Sequence, residues 1–275
     1  MSNGDNIEVS IILPAYNGEK WIERAIRSAL SQSLTNFEFL IIDDGSEDGT
    51  EAVVMKLAGT DPRIKYSKNK HNLGVQKTRN IALGMARGKY IAEIDQDDEW
   101  TDKHKLYRQV QFLKKNSEYV LVGTGAVILD EREREIARYL MPMTDIEIRK
   151  KILRMNCFIH SSVVYRADAV KKVGGYTVEK MSEDHDLWLR LGRVGKFTNF
   201  PEYLVRYRFS KHGYNSQNKI VRLRQNLLFV EEHKDFYPNH VRAAVMGWLK
   251  ILFYPLFFVL SSKVKGVFLK LHKKM

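Results

Sequence analysis

Short β-branched runs alternate with amphipathic segments over the first hundred residues, and each run stops at a polar loop. Few folds accept that pattern. Val9 to Leu13 is mostly apolar, as in a strand covered on both faces, and it ends at Pro14-Ala15-Tyr16-Asn17-Gly18. Glu19 to Ser33 places Trp21, Ile22, Ala25, Ile26, Ala29 and Leu30 at helical spacing. Phe37 to Ile42 predicts a second strand, ending in Asp43-Asp44-Gly45-Ser46. Glu51 to Leu57 reads as a helix, Arg63 to Ser67 as a weaker strand, Val75 to Ala86 as a helix and Tyr90 to Ile94 as a strand. This alternation predicts an α/β parallel sheet. Right-handed crossovers carry strand ends to one edge, so the loops at Tyr16, Asp44 and Asp95 are expected to meet in one cleft.

The run from Tyr90 ends in Asp95-Gln96-Asp97-Asp98. Carboxylates packed this closely repel one another unless a cation sits between them. The carboxyl ends of strands are where open α/β sheets hold ligands. Oxygen donors suit Mg²⁺ or Mn²⁺. The bland alternative is an acidic turn capping the next helix. No GxGxxG follows the first strand and no GxxxxGK[ST] occurs, which counts against a dinucleotide-binding dehydrogenase and a P-loop NTPase.

The alternation then loosens. Thr101 to Lys115 predicts a helix, Tyr119 to Leu129 a strand, and Asp130 to Arg138 a charged connection. Asp145 to Met155 reads as helix, Ile159 to Tyr165 as strand, and Ala167 to Val173 as a helix closed by Gly174-Gly175. Ser182 to Arg193 is the next helix, with Ser182 as its cap. Phe197 to Phe209 is a strand broken at Pro201, and Ser216 to Lys234 is a helix.

In order and spacing these motifs resemble the family-2 inverting glycosyltransferases, from about Val9 to about Ser216. That resemblance implies a GT-A fold, a Rossmann-like, mostly parallel sheet flanked by helices. The domain would cover residues 1–215, with a donor half at about 8–100 and an acceptor half at about 101–215. Ile11-Ile-Leu-Pro-Ala-Tyr-Asn17 is similar to the family's nucleotide loop, and Phe39-Leu-Ile-Ile-Asp-Asp-Gly-Ser46 to its uracil-binding segment. Asn72-Leu-Gly-Val and Thr78-Arg-Asn resemble the stretch under the base and phosphates. Asp95-Gln-Asp97-Asp98 resembles the DxD metal motif. Gly174-Gly-Tyr and Glu183-Asp184-His-Asp-Leu-Trp resemble the acceptor-side motif that carries the base.

The resemblance implies roles. Pro14, Tyr16, Asn17, Asp44, Arg79, Asp95 and Gln96 would bind the nucleotide sugar. Asp44 would accept the imide N–H of uracil or thymine, with Asp43 capping the following turn instead. Tyr16 either stacks on the base or packs the loop, and Arg79 either faces the phosphates or sits on the surface. Asp97, Asp98 and His212 would hold Mn²⁺ or Mg²⁺, with the direct ligand among Asp95, Asp97 and Asp98 left open. Asp184 would be the catalytic base, and Glu183 and His185 would face the acceptor. Complementing a helix dipole is the plain alternative for Glu183 and Asp184. Trp188 reads as core.

Composition narrows the rest. Hydrophobic residues make up 44% and charged residues 28%, which argues against extended disorder. The one cysteine, Cys157, excludes an internal disulfide framework and fits a reducing compartment. Met1 to Glu8 is polar and unlike a signal peptide, so a cytoplasmic enzyme is expected. The net charge of +12 sits largely late in the chain. There, residues 216–275 form a helical tail whose apolar stretch, Val245 to Leu260, is followed by Lys263, Lys265, Lys270, Lys273 and Lys274. Its uncharged run is too short to span a bilayer, which needs ~20 residues. Peripheral contact with the inner membrane face is expected, beside a lipid-linked or glycan acceptor; docking onto the body is the alternative. A nucleotidyltransferase lacks its phosphate loop here. A nucleic-acid-binding protein lacks an RRM, KH or zinc signature, so no nucleic-acid partner is expected.

Overall fold

The parallel half of the sheet follows from residues that are apolar on both faces. The computed structural model describes residues 7–178, 182–209 and 219–259. β1 (Val9–Ala15) lies between β2 (Phe37–Asp43) and β4 (Tyr90–Glu93), parallel to both, and β2 is parallel to β3 (Ile64–Lys68). Strand residues alternate between two cores. Ile11, Leu13, Phe39 and Ile41 pack with Ile22, Ala25 and Ile26 of α1 (Ile22–Leu30). Ile12, Leu40 and Ile42 share the opposite core with Ala82 of α3 (Val75–Met85) and with Trp188. Each buried isoleucine or leucine contributes roughly 1.5–3 kcal/mol, so both faces of β1 need their cover. The helix α2 (Thr50–Ala58) links β2 to β3.

The second half departs from expectation. The sheet is mixed rather than mostly parallel, in the order β3-β2-β1-β4-β8-β6-β9-β5. Here β5 is Glu99–Trp100, β6 Tyr119–Leu129, β8 Val164–Arg166 and β9 Lys196–Arg208. β8 runs antiparallel to both β4 and β6, and β5 antiparallel to β9, whereas β6 and β9 are parallel. Only crossover connections make parallel neighbours, and the strict strand–helix alternation stops after β4.

The expected charged connection at Asp130 to Arg138 instead contains β7 (Glu135–Tyr139), antiparallel to β6. It is an exposed strand off the main path of the sheet, where charges are tolerated, so its composition hides it. The expected strand from Ile159 begins as a 3-10 turn, His160–Ser162, because serine hydroxyls there accept backbone N–H groups. Ser161 Oγ accepts from Asp95 N and Ser162 Oγ from Thr124 N. β9 is not broken at Pro201. Thr124 faces Phe200 and Gly125 faces Tyr203, so Pro201 and Glu202 bulge out of an otherwise continuous ladder.

The helices of this half are α4 (Lys105–Lys115), α5 (Asp145–Lys151), α6 (Ala167–Lys172), α7 (Glu183–Leu191), α8 (Lys219–His233) and α9 (His240–Val259). α5 begins with a capping box between Thr144 and Glu147. α6 closes on Gly174 and Gly175, both at positive φ (85° and 71°). α8 and its following turn dock on the body: the Phe229 ring meets His185, and the Tyr237 hydroxyl donates to Leu189 O. α9 buries Ala243 but exposes Val241, Val245, Trp248, Leu249, Leu252 and Phe253 along one face. Among the described residues no helix is long and apolar enough to cross a membrane.

Candidate active site

The loops after β1, β2 and β4 converge with the N-terminus of α7 on one cleft of about 1020 Å³. The first two loops lock each other. Asn17, at φ 48°, donates its N–H to Ser46 Oγ and accepts from Glu47 N. Gly45, at φ +80°, lies where a Cβ would come within 2.9 Å of the His71 carbonyl carbon. The two aspartates of β2 divide their work. Asp43 caps the turn, accepting from Ser46 N and the Tyr66 hydroxyl. Asp44 accepts from Leu73 N, Gly74 N and the Asn69 amide, which folds the turn before α3 against the cleft. A carboxylate has about four acceptor positions, so Asp44 keeps capacity toward the cleft it lines. Tyr16 is 44% exposed on the rim. Gln96, across from it, accepts from Tyr16 N and donates to Tyr16 O, tying β1's loop to β4's.

The three carboxylates after β4 have different surroundings. Asp98 is buried, and both its oxygens have partners: Ser161 Oγ donates to one and Arg208 N to the other. Ser161 thus ties Asp95 N and Asp98 together. Burial opposes ionisation of Asp95, but the Arg79 guanidinium, then His160, hold its carboxyl far below the usual range. Asp97 has no ion pair among the described residues. Burial, then the charge of Asp95, pushes it up to about 6. Burial, then Asp97 and Asp95, raises Asp98 further. A cation at Asp97 would relieve the upward shifts of Asp97 and Asp98.

Arg79 is not on the surface but buried in the wall of the cleft that it lines. It is 5% exposed, with Nη1 on Glu183 (2.7 Å) and Nη2 on Asp95 (2.6 Å). It therefore joins the acidic turn to the first turn of α7. His160 lies 3.3 Å from the same guanidinium and 3.0 Å from the Tyr176 hydroxyl, which donates to buried Glu93. Burial raises the Glu183 carboxyl, and Arg79 offsets part of that.

Asp184, beside Glu183, faces the cleft. Its oxygens accept from the Asn156 amide (2.6 Å) and His185 N (2.7 Å). Ser182 occupies the N-cap position, although its side chain makes no capping hydrogen bond. His185 donates through Nε2 to Ile152 O and is pinned against α8. Trp188 is fully buried, as expected of core. His212 lies outside the described residues. Tyr176 belongs to the Gly174-Gly-Tyr motif, whereas Ser161, Asn156 and the wall formed by Ile136, Tyr139, Tyr207 and Phe209 were not singled out from the sequence.

Among the described residues, one group of three metal-capable side chains has donor atoms within 4.8 Å of one another: Asp186, Glu232 and His233. Arg190 pairs with Asp186 there, and Arg193 meets His233, so cations already serve it. The acidic turn offers fewer convergent ligands. That suits an ion held by one or two carboxylates plus substrate phosphates.

A cleft at the carboxyl edge of a half-parallel sheet, with an acidic turn facing a helix-borne carboxylate, defines a GT-A-like α/β transferase. The Glycosyl transferase family 2 model matches residues 10–174. An uncharacterized glycosyltransferase of Haemophilus influenzae is 32% identical, covering 79% of this chain and 69% of its own. The UDP-Glc:alpha-D-GlcNAc-diphosphoundecaprenol beta-1,3-glucosyltransferase WfgD of Escherichia coli is 32% identical, over 80% of this chain and 84% of its own. The fold is similar to that of S. aureus TarS 1-349 in complex with UDP-GlcNAc (TM-score 0.69, 19% identity, 90% of this chain and 73% of that one). It is also similar to the Pyrobaculum calidifontis mannosyltransferase PcManGT in complex with GDP-Man and Mn²⁺ (TM-score 0.67, 17% identity, 90% and 70%). The chain belongs to glycosyl transferase family 2 and is a glycosyltransferase that uses a nucleotide sugar.

Proposed function

We propose a metal-dependent, inverting glycosyltransferase that moves a sugar from a UDP-sugar, with dTDP-sugars second, to a hydroxyl of a glycan or lipid-linked acceptor during surface polysaccharide synthesis. The observation that carries this reading is the single cleft in which Arg79 ties the acidic turn to the helix bearing Asp184. Asp44 accepts the base's imide N–H, which adenine lacks. Tyr16 covers the base, and Gln96, which holds the Tyr16 backbone, lines the donor side of the cleft. Asp97, with Asp95 beside it, would hold Mn²⁺ or Mg²⁺, while Asp98 fixes the turn. A divalent cation there neutralises the charge that grows on the departing diphosphate.

Asp184 takes the acceptor proton. As the hydroxyl oxygen bonds to the anomeric carbon, the bond from that carbon to the diphosphate oxygen breaks and its electron pair leaves with the nucleotide. One displacement inverts the centre. The Asn156 amide orients Asp184 for this. The catalytic domain spans 1–215 and the tail 216–275. The tail rests its exposed α9 face on the inner membrane surface, keeping the enzyme cytoplasmic and peripheral.

Calorimetry with UDP, dTDP, GDP and ADP, in Mn²⁺ and in chelator, tests the donor reading. UDP or dTDP should bind in Mn²⁺ and lose binding in chelator. Equal binding of ADP, or UDP binding indifferent to chelator, refutes it.

A further inference from the structure

Arg208, the last residue of β9, holds three things at once. Its backbone N–H donates to Asp98 Oδ1 (2.9 Å), its Nε reaches the Asp97 carbonyl (3.4 Å), and its Nη2 reaches Glu133 Oε1 (3.4 Å). The side chain is buried, with its guanidinium carbon 3.5 Å from the centre of the Trp21 ring. Glu133 lies in the turn between β6 and β7 at φ 63°, a left-handed conformation that residues other than glycine keep only where their surroundings hold them. What holds it is Arg24 of α1 together with Arg208. Just past it, Ile136, Ala137 and Tyr139 of β7 line the cleft. One arginine therefore joins the turn that carries Asp97 to the hairpin that walls the cleft. The joint is loose. A charge-assisted pair closes to about 2.7–2.9 Å. Nη2 stands farther than that from Glu133, and Nη1 is buried without a hydrogen-bond partner. Burial and the Asp95 charge raise the Asp97 carboxyl, and the Arg208 charge pulls the other way. The guanidinium thus divides its charge between Asp97 and Glu133.

We propose that Arg208 is a positioning residue that couples the two: with a cation at Asp97, Arg208 gives up that carboxylate, shifts onto Glu133 and tightens the β6–β7 hairpin at the cleft. This rests on the metal reading of Asp97 above. Like charges repel, so the cation and the guanidinium compete for Asp97, and Glu133 is the carboxylate left to receive the loser. Coupling of this kind is reciprocal, so Glu133 in turn favours the cation. Loading of the donor then sets the wall before an acceptor arrives.

Two readouts on the full chain test it: calorimetry of UDP in Mn²⁺, and hydrogen–deuterium exchange of the amides of residues 133–139 with and without Mn²⁺ and UDP. In wild type, Mn²⁺ with UDP should slow hairpin exchange about threefold or more, and UDP in chelator should not. Glu133→Gln should abolish that slowing and weaken UDP binding in Mn²⁺ about threefold. Arg24→Gln removes the other partner of Glu133 and should leave that affinity within about twofold. In an Arg208→Gln background, Glu133→Gln should no longer change the affinity. A loss that persists in that background makes Glu133 a plain through-space charge and overturns the proposal. So does an equal loss in Arg24→Gln. So does wild-type slowing of exchange in Glu133→Gln, a measurement that needs no arginine variant to fold. Those three failures leave the metal reading standing, whereas wild-type UDP binding indifferent to Mn²⁺ overturns both.

Discussion

Replacing Asp97 by Asn should make the metal-free protein more stable while removing its metal-dependent function. An ordinary aspartate titrates near 3.8 and Asp97 at about 6, chiefly from burial and then from Asp95. At 1.36 kcal/mol per pH unit the ionised carboxylate costs at most about 3 kcal/mol at neutral pH. Asp97 is partly exposed, so solvent screening trims this to about 1–2 kcal/mol. A folded-state pKa raised above the unfolded value adds stability that is complete below about pH 4 and lost as pH rises through about 6. In chelator at pH 8, Asp97→Asn should therefore melt about 2–6 °C above wild type, and at pH 5 the gap should shrink. With Mn²⁺ and UDP at about a hundredfold over their dissociation constant, wild type should gain about 2.7 kcal/mol and overtake the variant. Thermal melts at both pH values, with and without Mn²⁺–UDP, read all four corners. A variant no more stable than wild type at pH 8 in chelator, or one that gains equally from Mn²⁺–UDP, refutes the reasoning.

Asp184→Asn should lower turnover by about 10²-fold or more while UDP affinity in Mn²⁺ stays within about twofold, measured by steady-state kinetics and calorimetry. Arg79→Met leaves buried Glu183 and half-buried Asp95 without their shared cation and should cost about 3 kcal/mol in urea unfolding; Arg79→Lys should recover only part, because one ammonium replaces a two-armed bridge. Gly45→Ala forces a side chain into positive φ and against the His71 backbone. It should lose about 1–3 kcal/mol by the same assay and raise KM for the donor, since the 69–74 turn must shift.

Strands buried on both faces were legible because their pattern needs no partner to be recognised. β1, β2 and β4 carry mostly apolar runs, and their parallel pairing followed from the helices between them. β7 was not legible, because an exposed strand carries the charges of a loop. β9 read as broken because a proline forbids a ladder N–H, yet two bulged residues absorb it. At the site, residue types were legible and partnerships were not. Arg79 looked like a surface or phosphate-facing arginine; its partner Glu183 is 104 positions away. Asp98 looked like an equal member of the acidic turn, but Arg208 N, 110 positions on, occupies one of its oxygens. Long-range closure of the sheet decides such roles, and local spacing does not encode it.

Arg79 is the one lysine or arginine among the described residues lining the cleft, and both its arms are engaged by carboxylates. The molecule as a whole carries +12, yet among the described residues the lining of its site is rich in carboxylates and has no free cation. A bare nucleoside diphosphate is thus drawn toward the protein and turned back at the entrance. Nucleotide stripped of its cation should be a poor competitor even in excess. Its slow association should quicken as salt screens the carboxylates, the reverse of ordinary electrostatic steering.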